Sequence, residues 1–228
     1  MRIGVIGPAE DEIMPFIDKI EGKIKNSYAM LNFYSGKFEG VDVVALFSGV
    51  CKVNAAIATQ ILIDKFEVTH IIVTGVAGGI DNSLRVGDTV IASQISYHDV
   101  ETGILTEYHP WMKNSYFKSD KLLIDISKKI VENNKFKQKI YFGKIVTGEA
   151  FISDSGRDII IKNHNPLCVD METASIAHVC YVNSIPFLAI RSMSDTEEES
   201  GNEAFEKNCT LAANNSLNLT ELIIRDLK

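Results

Sequence analysis

The stretch CVDMETASIAHV, residues 168–179, places two carboxylates, Asp170 and Glu172, on either side of Met171 in an otherwise small and apolar run. No cation lies near them in sequence, and a charge taken out of water without a partner is costly. Carboxylates in such a setting serve as proton donors, proton acceptors or electrostatic partners for a developing cation. Similar features recur where other apolar runs end. Glu12 follows RIGVI and the Gly7-Pro8 punctuation, GVAGG follows THIIVT, and Asp195 closes AIRSMSD with Arg191 four residues before it. These acids are expected to line a cleft at one edge of a sheet. Their chemistry points to proton transfer on a neutral or cationic substrate.

Each residue also has an ordinary structural reading. Glu12 suits the first turn of a helix, where an acid meets the positive end of the macrodipole. Asp170 suits a helix N-cap with Thr173 in the first turn, and Asp195 a cap for the turn into TEEES. Glu197, Glu198 and Glu199 read as a solvated acidic run. Gly75, Gly78 and Gly79 read equally as turn residues. His178, on an Ala-rich helix, reads as a core histidine.

The elements that must position these groups follow from periodicity. Residues 2–6 form a β-type run. Residues 11–20 carry Ile13, Phe16, Ile17 and Ile20 at helical spacing, with Pro15 in the first turns, where proline is tolerated. Residues 33–38 and 41–47 predict a hairpin across Glu39-Gly40, and 52–66 an amphipathic helix. THIIVTG is a buried strand running into a GVAGG loop. Strands follow at 88–96, 139–147 and in PFLAIRSMSD; helices at 119–133, 172–182 and about 203–226. This alternation predicts an α/β fold, with a central mixed β-sheet flanked by helices on both faces. In such folds ligands collect at the carboxyl ends of strands. With no linker, repeat or low-complexity tract, residues 1–228 are expected to form a single domain.

Composition narrows the partners. The 228 residues are 46% hydrophobic and 23% charged, with net charge −7. Scattered lysines and this acidic balance argue against a nucleic-acid surface. The N-terminus has no apolar targeting segment, and no run is long enough to span a membrane. Four isolated cysteines, at 51, 168, 180 and 209, fit no metal or redox motif and suit a reduced, cytoplasmic protein. Dinucleotide, P-loop, nucleophile-elbow and HExxH signatures are absent. Of the five histidines, His98 and His109 are too loosely spaced to suggest a metal site.

The set MRIGVIGPAEDE, SGVCKVNAA, VTGVAGG, GDTVIASQISYHD, TGEAFIS, VDMETASIAHV and AIRSMSD, in this order across nearly the whole chain, resembles the 5'-methylthioadenosine/S-adenosylhomocysteine nucleosidases of the nucleoside phosphorylase superfamily. The resemblance implies a cofactor-free, metal-free homodimer that hydrolyses the N-glycosidic bond to adenine, with 5'-deoxyadenosine as a further substrate. It implies that Asp195 protonates adenine N7, that Glu12 positions and activates water, and that Glu172 binds the ribose hydroxyls. Arg191 would hold the water and nearby carboxylates. Met171 would lie under the ribose, Phe151 stack on adenine, and the Ile152 backbone read its edge. Val50 and Phe205 would wall the ribose and 5' side, with Ala77 and Gly78 approaching by backbone. Asp195 must then hold a proton near neutrality, while Glu12 must be ionised.

Two departures from the family pattern bear on specificity. Val73 and Val76 stand where phosphorylases of the superfamily carry phosphate-binding Arg and Ser or Thr, which favours water as nucleophile. Residues 100–117, VETGILTEYHPWMKNSYF, differ from the segment that closes the partner's 5' pocket; Ile104, Leu105, Tyr108, His109 and Trp111 are its candidate wall. The alternatives are a purine nucleoside hydrolase or phosphorylase with different 5' specificity, or a noncatalytic nucleoside-binding protein on the same fold.

Overall fold

A computed structural model describes residues 1–101, 103–108, 112–152 and 154–228. The expectations for His109 and Trp111 lie outside the described residues. The chain folds into one sheet flanked by helices, as the alternation of elements predicts. In order the elements are β1 (Arg2–Gly7), α1 (Glu10–Ile17), β2 (Glu21–Tyr28), β3 (Leu31–Phe38), β4 (Val41–Phe47), α2 (Lys52–Phe66), β5 (His70–Gly79), β6 (Thr89–Tyr97) and α3 (Ile104–Glu107). They continue with β7 (Phe117–Lys118), α4 (Lys121–Asn133), β8 (Ile140–Thr147), α5 (Asp154–His164), β9 (Cys168–Asp170), α6 (Thr173–Val182), β10 (Phe187–Asp195) and α7 (Gly201–Asp226).

The sheet runs β10-β6-β8-β9-β5-β1-β4-β3-β2, with β7 beside β6 and a further pairing of β10 to β5. That last pairing closes β5, β10, β6, β8 and β9 into a ring. β5 takes three neighbours: β1 along its first half, β10 from Ile71 to Gly78, and β9 at Gly78 and Gly79. The five-residue stretch GVAGG is therefore not a loop but the second half of a long strand. Beyond Val76 it carries nothing larger than the Ala77 methyl, so β9 can approach it closely.

Two apolar layers sandwich the sheet. One joins Leu46, Ala58, Leu62, Ile71, Val73, Ile176 and Met193 under α2 and α6. The other joins Ile3, Val5, Phe16, Ile72, Leu188, Ile190 and Ile223 under α1 and α7. Alternate residues of β10 serve opposite layers, as strand pleating requires. The 39–40 hairpin forms as expected, with Phe38 opposite Val41.

Three local expectations are corrected. Pro15 lies in the second half of α1 rather than its first turns, and the helix ends two residues later, consistent with the missing donor of an interior proline. α2 is not amphipathic: Ala55, Ala58 and Leu62 are buried, yet Val53 is 68% and Ile57 42% exposed on the other side. Leu105 is 8% exposed and packs into its own subunit's core, while Ile104 and Tyr108 face outward at 40% and 74%. β2 and α5 escaped periodicity: EGKIKNSY is exposed on both faces at the sheet's edge. Among the described residues no helix is long and apolar enough to cross a membrane.

Candidate active site

Ten of the eleven candidate residues line one cavity of about 250 Å³: Glu12, Val50, Ala77, Gly78, Phe151, Ile152, Met171, Glu172, Asp195 and Phe205. The eleventh, Arg191, lies behind it, fully buried. The cavity sits where β1, β5, β8, β9 and β10 end. Its walls are mainly apolar, and its polar groups converge on one side, as in small-molecule sites.

Arg191 is the cation missing from the sequence around Asp170 and Glu172. Its Nε lies 2.9 Å from Asp170 and its Nη2 3.2 Å from Glu172. Nε and Nη2 each lie 3.1 Å from the Thr173 hydroxyl, which itself donates to Asp170. Burial works against the guanidinium's charge, but Asp170, Glu172 and Glu12 more than offset it and hold it protonated. One cation is thus shared among three carboxylates, and burial raises the pKa of Glu12 and Glu172.

Glu12 hangs from the first turn of α1, just past β1. Its Oε2 accepts the Val76 amide at 2.6 Å. Burial raises its pKa from 4.5 to about 7, against the lowering by Arg191 and by the Val76 and Ala9 amides. The expectation of an ionised Glu12 therefore meets a carboxyl that burial pushes well above its ordinary range. A base is most effective with its pKa near the working pH. Glu172 accepts the Cys51 amide at 3.0 Å on Oε1, and burial raises its pKa as well, opposed by Arg191.

Gly75 makes this convergence possible. Its φ is +151°, and a Cβ built there would stand 2.7 Å from Arg191 Nη1, 2.9 Å from Pro8 Cδ and closer still to Glu12 Oε2. It reads as a turn glycine in the sequence, yet its role is to leave room for a carboxylate and a guanidinium.

Asp195 enters from β10. The register of β10 against β5 shifts between Met193 and Asp195, and both Ser194 and Asp195 reach the cavity. In a regular strand, neighbours point to opposite faces; a bulge re-aims them. Burial raises the Asp195 pKa, opposed by the Ser194 hydroxyl bond at 2.8 Å and by Arg157. Gly78 lies beside it, with its missing Cβ 3.1 Å from Asp195 Oδ2.

Asp170 combines the two readings open to it. It accepts the Glu172 and Thr173 amides at 3.3 and 3.2 Å, in the manner of a cap, and the Thr147 hydroxyl at 2.5 Å. It also faces Arg191 and the cavity. The Phe151 and Phe205 rings meet edge-on at 6.3 Å across the cavity. Sequence reasoning missed Gly75, Ser194, Asn202 and the Cys51 and Val76 amides; backbone donors leave no signature in residue type. His178 is half-buried, with Nδ1 3.3 Å from the Tyr97 hydroxyl. All four cysteines are free thiols, of which only Cys168 and Cys180 are buried.

A ring-closed mixed sheet with a carboxylate-rich cavity at its strand ends agrees with the family model that this chain matches over residues 2–225, that of the phosphorylase superfamily. A 5'-methylthioadenosine/S-adenosylhomocysteine nucleosidase of Bacillus thuringiensis is 37% identical over 233 residues, covering all of both chains. The same enzyme of Colwellia psychrerythraea, solved in complex with adenine, superposes with a TM-score of 0.91 at 35% identity, covering 100% of this chain and 96% of that one. That of Neisseria meningitidis, in complex with methylthio-immucillin-A, gives 0.90 at 31% identity, covering 99% of each chain. The chain belongs to the phosphorylase superfamily and, within it, to the 5'-methylthioadenosine/S-adenosylhomocysteine nucleosidases, enzymes of the N-glycosyl hydrolase class.

Proposed function

We propose that the chain, acting as one domain over residues 1–228, hydrolyses the N-glycosidic bond of 5'-methylthioadenosine and S-adenosylhomocysteine, with 5'-deoxyadenosine as a further substrate. The observation that carries this reading is the convergence of Glu12, Glu172 and Asp195 on one cavity, with Arg191 buried behind the first two. Adenine lies against Phe151, the Ile152 backbone and Gly78, with N7 toward Asp195. The ribose lies over Met171 with its hydroxyls on Glu172. Val50, Ala77 and Phe205 close the sugar and 5' side.

The bond to N9 breaks as its electron pair moves into the base, and Asp195 delivers its proton to N7. The sugar becomes oxocarbenium-like, a charge that carboxylates stabilise. Water held by Glu12, with Arg191 supporting the carboxylates from behind, attacks C1', and Glu12 takes its proton. Solvent then returns a proton to Asp195 and removes one from Glu12. The raised pKa of Asp195 and the value of about 7 for Glu12 suit these opposite duties.

Water is favoured over phosphate. The Val76 amide, which could otherwise face an anion, is already given to the Glu12 carboxylate, and Val73 is buried and apolar. We place the enzyme in the cytoplasm, as a homodimer. The exposed apolar residues Val53 and Ile57 of α2, with Ile104, Tyr108 and Val182, support a subunit interface, since association is what covers apolar surface of this kind.

Incubation with methylthioadenosine, with and without phosphate, tests the reading. Adenine with free sugar is expected in both. Sugar 1-phosphate would indicate a phosphorylase, and no adenine would indicate a noncatalytic binder.

A further inference from the structure

Outside the cavity, a ring of polar contacts ties together the chain segments that form two of its walls. Lys52 opens α2, directly after Val50 and the Cys51 whose amide holds Glu172. Its ammonium lies 3.0 and 2.8 Å from the two carboxylate oxygens of Asp99, two residues beyond β6. Asp99 Oδ2 also accepts the Glu149 amide at 2.9 Å. Glu149 Oε1 in turn accepts the Lys52 amide at 3.1 Å and lies 3.9 Å from its ammonium. None of these three side chains lines the cavity, yet Val50 and Ala150–Ile152, their neighbours in sequence, do.

An exposed ion pair of this kind ordinarily adds little and positions nothing. Two observations set this one apart. The Lys52 and Asp99 side chains are only 21% and 27% exposed, and charge-assisted bonds meeting on one carboxylate are the stronger kind. Burial pushes the Asp99 pKa up, but the bonds from Lys52 and Glu149 bring it below the ordinary value. Second, Cys51 has φ 81° and ψ 163°, a conformation close to glycine-only territory that persists when its surroundings over-determine it. Here the Cys51 amide is fixed by Glu172 and the next amide by Glu149.

We propose that Lys52, Asp99 and Glu149 form a positioning latch that holds the wall at Val50 and Cys51 against the wall at Ala150–Ile152. The latch makes order at the base-binding wall and at Glu172 a single event. Naming these walls the base and ribose sides rests on the nucleosidase reading above. Without the Lys52 cation, Asp99 and Glu149 face each other as like charges and the 149–152 loop is released.

The test compares Lys52→Met with Lys52→Arg. It reads kcat and KM for methylthioadenosine, the dissociation constant of adenine by calorimetry, and the thermal midpoint. Expected for Lys52→Met is a rise of about tenfold in both KM and the adenine constant, with kcat within about threefold, the pattern of lost ground-state binding. The midpoint should move by only a few degrees, and Lys52→Arg should recover most of the affinity. Wild-type KM and adenine affinity in Lys52→Met would overturn the latch. So would a parallel fall of kcat, affinity and midpoint that Lys52→Arg does not rescue, which marks a merely structural lysine. If the wild type releases no adenine, the nucleosidase reading fails by itself, and adenine binding to wild type and Lys52→Met still decides the latch; no binding to either overturns it.

Discussion

Replacing Glu12 by Gln should make the protein more stable at alkaline pH while nearly abolishing turnover. Glu12 is buried, with one oxygen on the Val76 amide and Arg191 shared with two other acids. Its pKa is about 7 in the folded chain against an ordinary 4.5. Below pH 4.5 it is protonated whether the chain is folded or not, and ionisation costs nothing. Between 4.5 and about 7 the unfolded chain releases a proton that the folded chain retains, so stability falls by about 1.4 kcal/mol per pH unit. Across that interval the loss is about 3 kcal/mol, and above it the loss is constant. Gln does not titrate. Its carbonyl still accepts from Val76, and any cost of its extra amide protons is independent of pH. The stability of the variant relative to wild type should therefore rise by about 3 kcal/mol from pH 4.5 to pH 8. Glu172 titrates in both proteins and enters the difference only through its coupling to Glu12. Urea denaturation of both proteins at pH 5, 6, 7 and 8, at one concentration so that subunit association is matched, measures this. A difference that stays flat or falls with pH would refute the burial argument. Turnover should fall on the order of 10²–10⁴-fold, the range for a lost general acid–base group.

Asp195→Asn should lose turnover on a similar scale, on the order of 10²–10⁴-fold, while adenine and nucleoside binding persist by calorimetry; near wild-type turnover would remove Asp195 as the proton donor. Gly75→Ala puts a Cβ against Glu12, Arg191 and Pro8 in a backbone conformation that disfavours side chains. It should cost about 1–3 kcal/mol of stability and, by displacing Glu12 by about 1 Å, roughly 10²-fold in kcat; an unchanged kcat would mean that Glu12 is not held for catalysis there. Ile104→Ala should raise KM for 5'-thio nucleosides with little change in kcat, in a protein that sediments as a dimer. A fully active monomer would show that this residue walls no partner's pocket.

Much of the site was legible because the carboxylates sit beside chain signals that are themselves local. An apolar run ending in glycine, proline or a polar residue marks a strand end, and Glu12, Glu172 and Asp195 each follow such a run. Pleating and helical periodicity likewise mark β1, β4, α6 and α7 within a residue or two. β2 was hidden because an edge strand exposed on both faces needs no alternation. α5 was hidden because Ile159, Ile160 and Ile161 stand in a row, and only Ile160 is buried.

The sequence by itself determined which residue types stand at the strand ends, and hence the proton-transfer character of the cavity. The tertiary structure decided their charge states and their company. Arg191 meets Asp170 and Glu172 only because β10 and β9 both pair with β5. Gly75 changes from a turn residue to the space that a carboxylate and a guanidinium share, because a strand read as ending there continues to Gly79. The pKa of Glu12 depends on its removal from water and on how many acids divide one cation. Burial and pairing of this kind join groups up to 179 positions apart along the chain, Glu12 to Arg191, whereas periodicity reports only a residue's nearest turns.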